Sequence, residues 1–583
     1  MNQLDIKRFA IKFGGESGQG INSLGEILAK ALKNTGYKIF GYREYPSLIR
    51  GGYASYQIDI GNEAINSSSQ FCDILVCSSR RSIYQYLRDL RSNSILIHTL
   101  TAVIFKPEDQ EFIKSQNIQV KYIDALTLAK QQGGNALMSN MILLGALAEI
   151  IGLDLTSVEH IVNEQFADKP KLLEIDLKCL KVGHDLNIAD YNLNLQKFDG
   201  WQDSKIITGN HAIALGAISA GARAYYSYPM TPASSILSYL AETSHESGML
   251  VKQAEDEITA AQMTVGSMHM GTRAFTGTSG GGFDLMTETI SLAGIIETPL
   301  VLVLAQRPGP ATGLPTWTSA GDLNLAIHAG HGEYPRIVIS ASDFETAYSL
   351  IQNAFDLAEK FQTPVILLTE KQIAEGLYNV KDLPQDIEIN RYLLNENELT
   401  TKSTLKRYQF TENGISPRWL PGSDLPQYNA NGDEHDEVGD VNEESLNAKL
   451  IAEKRMKKTE LIKMSLPDPV LYGENEADIT FIGWGSVKPV INDVRDILKQ
   501  NNSEIKINYL HYDYLFPLKS ELLLNVLKNS KRLVLVENNY LGQLGQLITS
   551  ETGFQFSEKL LKYDGRPFFI EDILNFINSS RNE

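Results

Sequence analysis

The stretch YSYPMTPASS holds Thr231 between two prolines, Pro229 and Pro232. Each proline fixes its own φ at about −65°, so the backbone on both sides of the threonine hydroxyl group is restricted. The stretch is either a simple turn after a strand or a preorganised binding loop. Because a stiff loop has little entropy left to lose on binding, we predict that Thr231 contacts a ligand.

Three consecutive acids, Glu255, Asp256 and Glu257, stand where a helix is predicted to begin. The helix macrodipole favours anions at this end, which accounts for at least two of them. The helix then becomes apolar in AAQMTVGSM. A carboxyl group on it could therefore be partly buried, keep its proton and act as a hydrogen-bond donor or acid.

Arg307 follows the apolar strand pattern PLVLVLA and opens the loop RPGPATGLPT. Ligands collect at the carboxyl ends of strands in open α/β sheets, and a guanidinium group binds carboxylates through two parallel hydrogen bonds. A surface salt bridge is the alternative. Three prolines restrict the backbone of this loop, and its two glycines allow tight turns, so the sequence favours a positioned, carboxylate-binding Arg307.

The stretch TGTSGGG matches the nucleophile elbow G-x-S-x-G around Ser279. A serine hydrolase would then use His328 or His331 as its base. The third glycine, Gly282, makes the loop looser than the usual sharp elbow, and no clear acid lies between the histidines. The hydrolase is therefore kept as an alternative class.

A glycine-rich stretch, GGESGQG, lies between the strand pattern FAIKF and a helical pattern. Backbone N–H groups at such a junction can hold an anion, here a phosphate of the coenzyme A type. A tight strand-to-helix turn explains the same residues. The candidate ligand-binding glycines are Gly14, Gly15, Gly18 and Gly20.

The stretch EHDE, residues 434–437, contains side chains that are capable of binding a metal ion. Adjacent residues converge on one ion only when the loop curves strongly, so a solvated acidic loop is the alternative. The sequence leaves both interpretations open.

Strand patterns alternate with helical patterns along most of the 583 residues. This alternation predicts an α/β fold with three domains and mainly parallel sheets. Between the second and third domains the rhythm is lost in a polar stretch, which we interpret as an ordered connector or insertion. The predicted divisions are a first domain at 1–190, a second at 205–385, the connector at 386–465 and a last domain at 466–583.

Bulk composition argues against several classes of protein. The net charge of −18 would repel a nucleic acid, and the apolar runs are too short or too charged to cross a membrane. The N-terminal residues show no secretory signal pattern. Three cysteines make neither a disulfide framework nor the four-thiolate shell of a [4Fe–4S] cluster. A cytoplasmic protein is expected.

Several motifs together carry a family resemblance that covers nearly the whole chain. The sequence resembles the alpha subunit of 2-oxoacid:ferredoxin oxidoreductases, closest to the 2-oxoglutarate (KorA-like) branch, with a γ-type domain fused at the N-terminus. The stretches that carry the resemblance are GGESGQG, IRGGYASYQI, YPMTP, QAEDEITAA, TSGGGFDLM, QRPGPATGLPT, HGEYPRIV, EHDEVG, GWGS and VENNYLGQLGQL.

The resemblance implies thiamine diphosphate, coenzyme A and [4Fe–4S] clusters, used to convert a 2-oxoacid to acyl-CoA with reduction of ferredoxin. It implies that Glu257 contacts the aminopyrimidine ring of the cofactor, and that Tyr228 and Pro229 help to bind the cofactor. Thr231 would be catalytic and contact the substrate, and Arg307 would hold the substrate carboxylate. The second domain would be the pyrimidine-binding module, and the last a transketolase C-terminal-like domain.

Two absences imply that the chain forms half of an active site. Thiamine enzymes normally carry a GDG motif for the pyrophosphate and Mg²⁺, and this sequence has none. The cysteines for an iron–sulfur cluster are missing as well. The resemblance therefore implies a beta subunit that supplies Mg²⁺, the cluster and the contact with ferredoxin, in an (αβ)₂ heterotetramer.

The expected reaction is the conversion of 2-oxoglutarate to succinyl-CoA, although pyruvate and branched-chain 2-oxoacids stay open as substrates. Two other classes also stay open. One is the serine hydrolase based on Ser279, and the other is a non-catalytic scaffold that binds coenzyme A or a nucleotide.

Overall fold

The computed structural model of the protein describes residues 8–48, 51–61, 65–188, 200–394 and 403–579. Its strands form three sheets within these ranges, and helices cover the sheets. Parallel pairings predominate overall, and most of the antiparallel ones lie in the first sheet. The predicted α/β fold with mainly parallel sheets is confirmed, and the first sheet is mixed, with three parallel and four antiparallel pairings.

The first segment contributes six strands and seven α-helices. They are β1 (Phe9–Ser17), α1 (Ile21–Asn34), β2 (Lys38–Glu44), β3 (Gly51–Gly61), β4 (Cys72–Cys77), α2 (Arg80–Tyr86), β5 (Leu90–His98), α3 (Pro107–Ser115), β6 (Gln119–Tyr122), α4 (Ala125–Gln131), α5 (Ser139–Ile151), α6 (Leu155–Gln165) and α7 (Pro170–His184).

The second segment runs from residue 205 to residue 380 and again alternates strands with helices. Its elements are β7 (Lys205–Thr208), α8 (Gly209–Ser219), β8 (Ala224–Ser227), α9 (Ser234–Glu242), α10 (Ser244–Ser247), β9 (Leu250–Gln253), α11 (Glu257–His269), β10 (Ala274–Thr278), α12 (Gly280–Leu285), α13 (Thr287–Ile295), β11 (Leu300–Gln306), α14 (Leu323–His328), β12 (Ile337–Ser340), α15 (Phe344–Phe361), β13 (Pro364–Glu370), α16 (Lys371–Glu375) and β14 (Leu377–Val380).

The connector contributes one long helix, and the last segment adds the third sheet. The elements are α17 (Ser445–Ser465), β15 (Val470–Tyr472), β16 (Ile479–Trp484), α18 (Val487–Gln500), β17 (Ile507–Tyr512), β18 (Tyr514–Phe516), α19 (Glu521–Asn529), β19 (Leu533–Glu537), α20 (Gln543–Thr552), β20 (Glu558–Leu561) and α21 (Ile570–Ser579).

The sheets combine strands from different segments. The first has the order β6-β5-β4-β1-β3-β2-β14-β7, so its last two strands come from the second segment. The second has the order β18-β12-β13-β11-β10-β8-β9, and β18 comes from the last segment. The third has the order β15-β17-β16-β19-β20. The predicted domain boundaries stay a prediction. The second segment adds two strands to the first sheet, and the last segment adds one strand to the second sheet.

The second sheet positions the candidate site. Strands β8, β10 and β11 are neighbours and parallel, so their carboxyl ends meet at one edge. Each of β10 and β11 is buried along its whole length, as expected for a strand covered on both faces. Thr231, Ser279 and Arg307 all follow these three strands, and their loops therefore converge.

The connector packs at the opposite edge of the same sheet, around Glu297, which lies between α13 and β11. The ammonium groups of Lys454 and Lys458, both on α17, form buried ion pairs with the Glu297 carboxylate. Arg407 also donates a hydrogen bond to the Glu297 carbonyl at 2.9 Å. Cations are favourable at a helix C-terminus, so this basic cluster holds the connector to the end of α13.

Candidate functional site

Glu257 is the first residue of α11, and it differs from the two acids before it. Asp256 caps the helix, with its side chain accepting a hydrogen bond from the Thr259 N–H at 2.7 Å. Glu255 and Asp256 are exposed, whereas Glu257 is only 4% exposed. The Oε1 atom of Glu257 is buried and has no hydrogen-bond partner among the described residues. Such an atom requires a partner from a ligand or a water molecule.

The glycine run after β10 allows a close approach to Glu257. A Cβ atom on Gly282 would lie 2.6 Å from Glu257 Oε1 and 2.2 Å from Thr278 Oγ1. Gly281, next to it, has open space at the same position. Gly282 is therefore needed to let α12 begin against the glutamate. Thr278, which the sequence analysis did not single out, is a buried neighbour of this carboxyl group.

The YPMTP loop is held by hydrogen bonds from two neighbouring elements. The buried amide of Asn210 on α8 donates to the Pro232 carbonyl at 2.7 Å. The Thr231 carbonyl accepts from Arg307 Nη1 at 2.8 Å, which brings these two predicted residues together. Thr231 is half-buried, whereas Tyr228 and Pro229 are exposed at the rim.

Arg307 is half-buried at the start of its loop, and burial lowers its pKa. A guanidinium group stays charged nonetheless, because its ordinary pKa is far above neutrality. The loop that follows Arg307 forms hydrogen bonds with the first segment and with the last segment. Thr316 Oγ1 donates to the Tyr45 carbonyl at 2.6 Å, and the Thr318 N–H donates to the Gly565 carbonyl at 3.2 Å.

Two buried glutamates that the sequence analysis missed organise the segments around this loop. Glu370 accepts hydrogen bonds from Thr318 Oγ1 at 2.8 Å and from the Ser486 N–H at 3.1 Å. Glu537 accepts from Trp484 Nε1 at 3.0 Å and from Asn539 Nδ2 at 2.8 Å. Burial raises the pKa of both carboxyl groups, and the hydrogen bonds oppose that rise.

These contacts explain the GWGS and VENNYLGQLGQL stretches as supports of the site. The local sequence pattern of these stretches does not predict the contacts, because Ser486 and Asn539 bond to residues that are more than a hundred positions away along the chain. Asp322, at the end of the Arg307 loop, was missed for the same reason. It lies in the ordinary-looking stretch AGDLNL.

The glycines of GGESGQG lie in the first sheet and the turn that follows it. The strand was predicted to end before Gly14, but β1 continues to Ser17 because Gly14 and Gly15 pair with Ser55 and Ala54 of β3. Gly18 and Gly20 form the turn with φ values of 91° and 78°. The described contacts of this stretch stay within the first segment, so the structure does not join it to Glu257 or Arg307.

The serine hydrolase geometry is not formed. Ser279 Oγ is buried without a hydrogen-bond partner among the described residues. His331 Nε2 is instead 2.9 Å from Glu288 Oε2 at the surface, and His328 is exposed. No base contacts Ser279 in the part of the chain that the structure describes.

The acidic stretch 434–437 is engaged in contacts within the protein. Glu434 forms hydrogen bonds of 2.8 and 2.7 Å with the Arg455 guanidinium group, and Glu437 pairs with Lys406 at 2.6 Å. Asp436 accepts three backbone N–H groups of its own loop. Across residues 8–579, outside the gaps given above, no cluster of three or more His, Cys, Asp or Glu side chains could hold a metal ion.

Comparisons with known proteins agree with the fold and the arrangement of these motifs. The family model described as pyruvate flavodoxin/ferredoxin oxidoreductase, thiamine diphosphate-binding, matches residues 215–457. The model described as pyruvate ferredoxin/flavodoxin oxidoreductase matches residues 10–186. The second segment therefore contains a region of the thiamine diphosphate-binding type.

Curated relatives match over nearly the full length. The 2-oxoacid:ferredoxin oxidoreductase subunit alpha of Sulfolobus is 31% identical, covering 97% of this chain and 96% of its own. The 2-oxoglutarate oxidoreductase subunit KorA of Mycobacterium tuberculosis is 28% identical, covering 99% and 92%. This chain belongs to the family of 2-oxoacid:ferredoxin oxidoreductase alpha subunits, which confirms the resemblance drawn from its motifs.

A solved structure of an enzyme of this family is also similar to this chain. The 2-oxoglutarate:ferredoxin oxidoreductase from Magnetococcus marinus, with 2-oxoglutarate, coenzyme A and succinyl-CoA bound, matches with a TM-score of 0.88 at 30% identity. The match covers 99% of this chain and 100% of that chain. Among the described helices, none is both long enough and apolar enough to span a membrane.

Proposed function

We propose that this chain binds the aminopyrimidine half of thiamine diphosphate and the carboxylate of a 2-oxoacid, in an enzyme that makes acyl-CoA and reduces ferredoxin. The observation that supports this most directly is Glu257 Oε1, which is buried, lies against Gly282 and has no hydrogen-bond partner among the described residues. An aminopyrimidine ring nitrogen would satisfy this oxygen. The residues present therefore fit the cofactor.

Bound thiamine diphosphate supplies a nucleophilic carbon and the electron sink for decarboxylation. Glu257 would hold a proton between its carboxyl group and the ring, favouring the imino form of the cofactor. Arg307 would bind the substrate carboxylate through the guanidinium nitrogens that do not bond the Thr231 carbonyl. Thr231 would orient the oxoacid, and Tyr228 and Pro229 would border the cofactor at the rim.

The glycine turn of the first segment is the proposed coenzyme A phosphate site. Gly18 and Gly20 have positive φ values, and nothing approaches Gly18 where a Cβ would stand. Gly14 and Gly15 place the turn by letting β1 pack against Ser78 and Ser82. Support from outside the chain is the coenzyme A bound in the Magnetococcus marinus enzyme.

A beta subunit is proposed to complete the site with Mg²⁺, the pyrophosphate-binding groups and a [4Fe–4S] cluster that reduces ferredoxin. The sequence has no GDG motif, and Cys72, Cys77 and Cys179 are buried free thiols. Burial raises the pKa of each thiol, which disfavours the thiolate that a cluster needs. The free thiols fit the proposed cytoplasmic location, and the assembly is proposed to be (αβ)₂.

We propose 2-oxoglutarate as the oxoacid, since the Mycobacterium tuberculosis relative and the Magnetococcus marinus structure are both named for it. Pyruvate is the second candidate, because both matching family models carry its name. Branched-chain 2-oxoacids are the third group of substrates to be tested.

The test uses this chain reconstituted with its beta subunit. Oxoacid-dependent reduction of a low-potential dye is measured with coenzyme A, and bound thiamine diphosphate is quantified separately. Glu257→Gln should lower cofactor content and turnover by about tenfold or more, since the charge-assisted hydrogen bond between the carboxyl group and the aminopyrimidine ring is lost. Glu255→Gln, two residues away and exposed, should change neither. Full cofactor content in Glu257→Gln, or no turnover with any oxoacid, would refute the proposal.

A further inference from the structure

Asp322 occupies the N-cap position of α14, but its side chain does not cap the helix. It stands immediately before α14, where an aspartate normally accepts a hydrogen bond from the first turn, yet its side chain makes no capping bond. Its Oδ2 atom is buried and has no hydrogen-bond partner among the described residues. A Cβ atom on Gly280 would lie 3.1 Å from Oδ2. The carboxyl group is therefore directed across the site to the start of α12.

The backbone that carries Asp322 is fixed from two sides. Its own N–H donates to Gln306 Oε1 at 2.9 Å, which ties it to the end of β11, one residue before Arg307. The last segment holds the two preceding residues. Asn539 Nδ2 donates to the Ala320 carbonyl at 3.0 Å, and Gln543 Nε2 donates to the Gly321 carbonyl at 2.6 Å. These bonds hold the carboxyl group in place before any ligand binds.

Few charges act on this carboxyl group. Burial raises the pKa of Asp322 to about 6, with Asp284 on α12 adding to the rise and Arg307 opposing it. The groups of the last segment that pack here, Asn539 and Gln543, are uncharged amides. Asp284 is exposed and Arg307 is half-buried, so Arg307 is the one cation among the described residues that acts on the Asp322 carboxyl group.

We propose that Asp322 is a further substrate-binding residue, whose protonated carboxyl group donates a hydrogen bond to the oxoacid carboxylate held by Arg307. The inference rests on the proposed function. A single guanidinium group balances one negative charge, and two carboxylates at hydrogen-bond distance cannot both stay ionised. Binding of the oxoacid anion therefore draws one proton from a solvent buffer acid onto Asp322, which forms one O–H bond there, and no bond to carbon changes.

The first experiment is the pH dependence of oxoacid KM and kcat in the reconstituted complex. For the native enzyme, KM should rise about tenfold per pH unit above about pH 6, because only the protonated form binds. Asp322→Asn carries a permanent amide donor, so its KM should be low and nearly constant from pH 6 to pH 8. Asp284→Asn, on the neighbouring helix, should keep the native slope. A native slope in Asp322→Asn would overturn the inference.

The second experiment needs no variant and so does not depend on how Asp322→Asn folds. Calorimetric titration of the native complex with the oxoacid, in two buffers of different ionisation enthalpy, should show uptake of about one proton at pH 7. No proton uptake would overturn the inference. If the native complex turns over an oxoacid and yet takes up no proton, only the role of Asp322 fails. If no oxoacid is turned over, the proposed function itself fails.

Discussion

Arg307 Nη1 donates a hydrogen bond to the backbone carbonyl of Thr231 at 2.8 Å, which joins the loop after β11 to the loop after β8. The strand between them, β10, ends in the glycine run that packs against Glu257. Three neighbouring parallel strands of the second sheet, β8, β10 and β11, thus bring a hydroxyl group, a glycine run beside a buried carboxyl group, and a cation to one edge. The rest of the guanidinium group makes no other hydrogen bond within the described structure.

Replacement of Arg307 by lysine should raise the oxoacid KM by about tenfold to a hundredfold, with a smaller effect on kcat. Lysine keeps the positive charge but loses the planar fork that matches a carboxylate, and the bond to the Thr231 carbonyl is weakened. Steady-state kinetics of the reconstituted complex would measure both constants. Arg223→Lys is the matched control, because Arg223 is exposed and precedes β8 at the opposite edge of the sheet. An unchanged KM in Arg307→Lys would contradict the assignment.

Adding one methyl group at Gly282 should weaken thiamine diphosphate binding by about tenfold or more. The new Cβ would overlap Thr278 Oγ1 and press on Glu257 Oε1, and overpacking of this kind costs about 1–3 kcal/mol. Gly281→Ala is the control, since nothing lies within 4 Å of the same atom there. Cofactor binding by equilibrium titration should separate the two variants. Equal affinities would show that Glu257 does not contact the cofactor.

Replacement of Glu297 by glutamine should lower the free energy of unfolding by about 3 kcal/mol or more. Burial by itself raises the pKa of Glu297, but Lys458 and Lys454 outweigh it and hold that pKa well below its usual range. Without the carboxylate, two buried ammonium groups lose their partner, and an unpaired buried charge is strongly destabilising. Urea denaturation would detect the change.

Glu288→Gln is the control for that measurement. Glu288 also pairs with a basic residue, His331, but the two side chains are 76% and 79% exposed. Surface pairs of this kind contribute about 0–1 kcal/mol. If both variants lost the same stability, the cluster around Glu297 would not be what holds the connector.

Lys38 should make stability rise with pH in the alkaline range. Burial lowers its pKa to about 8, from an ordinary value of about 10.4, while its Nζ donates to the Asn379 carbonyl at 2.8 Å. Between these two pH values the unfolded chain binds more protons than the folded one, so folding becomes more favourable as pH rises. Below about pH 8 Lys38 is protonated in both the folded and the unfolded chain, so it adds no pH dependence to the stability.

The measurement compares the native chain with Lys38→Met between pH 7 and pH 10.5. The stability of the native chain relative to the variant should increase by up to about 3 kcal/mol over this range. Lys205→Met, at an exposed position, should show no such trend. A difference that stays constant with pH would refute the role of Lys38.

The sequence by itself determined the strand before Arg307, the helix that begins at Glu257 and the stiff loop around Thr231. These features are local: an apolar run, an aspartate cap and two prolines act within a few residues of themselves. The family could be recognised for the same reason, because its motifs are short stretches of consecutive residues. The α/β class followed from the alternation of such patterns.

Only the tertiary structure decided which of three adjacent acids is buried, since Glu255, Asp256 and Glu257 look alike until α12 packs against one of them. It also placed β7 and β14 in the first sheet, and Asp322, Glu370 and Glu537 around the Arg307 loop. Burial and hydrogen bonding between distant segments depend on packing, which local patterns do not contain. The proposed site can therefore be recognised in the sequence only as separate motifs, and the fold determines how those motifs come together.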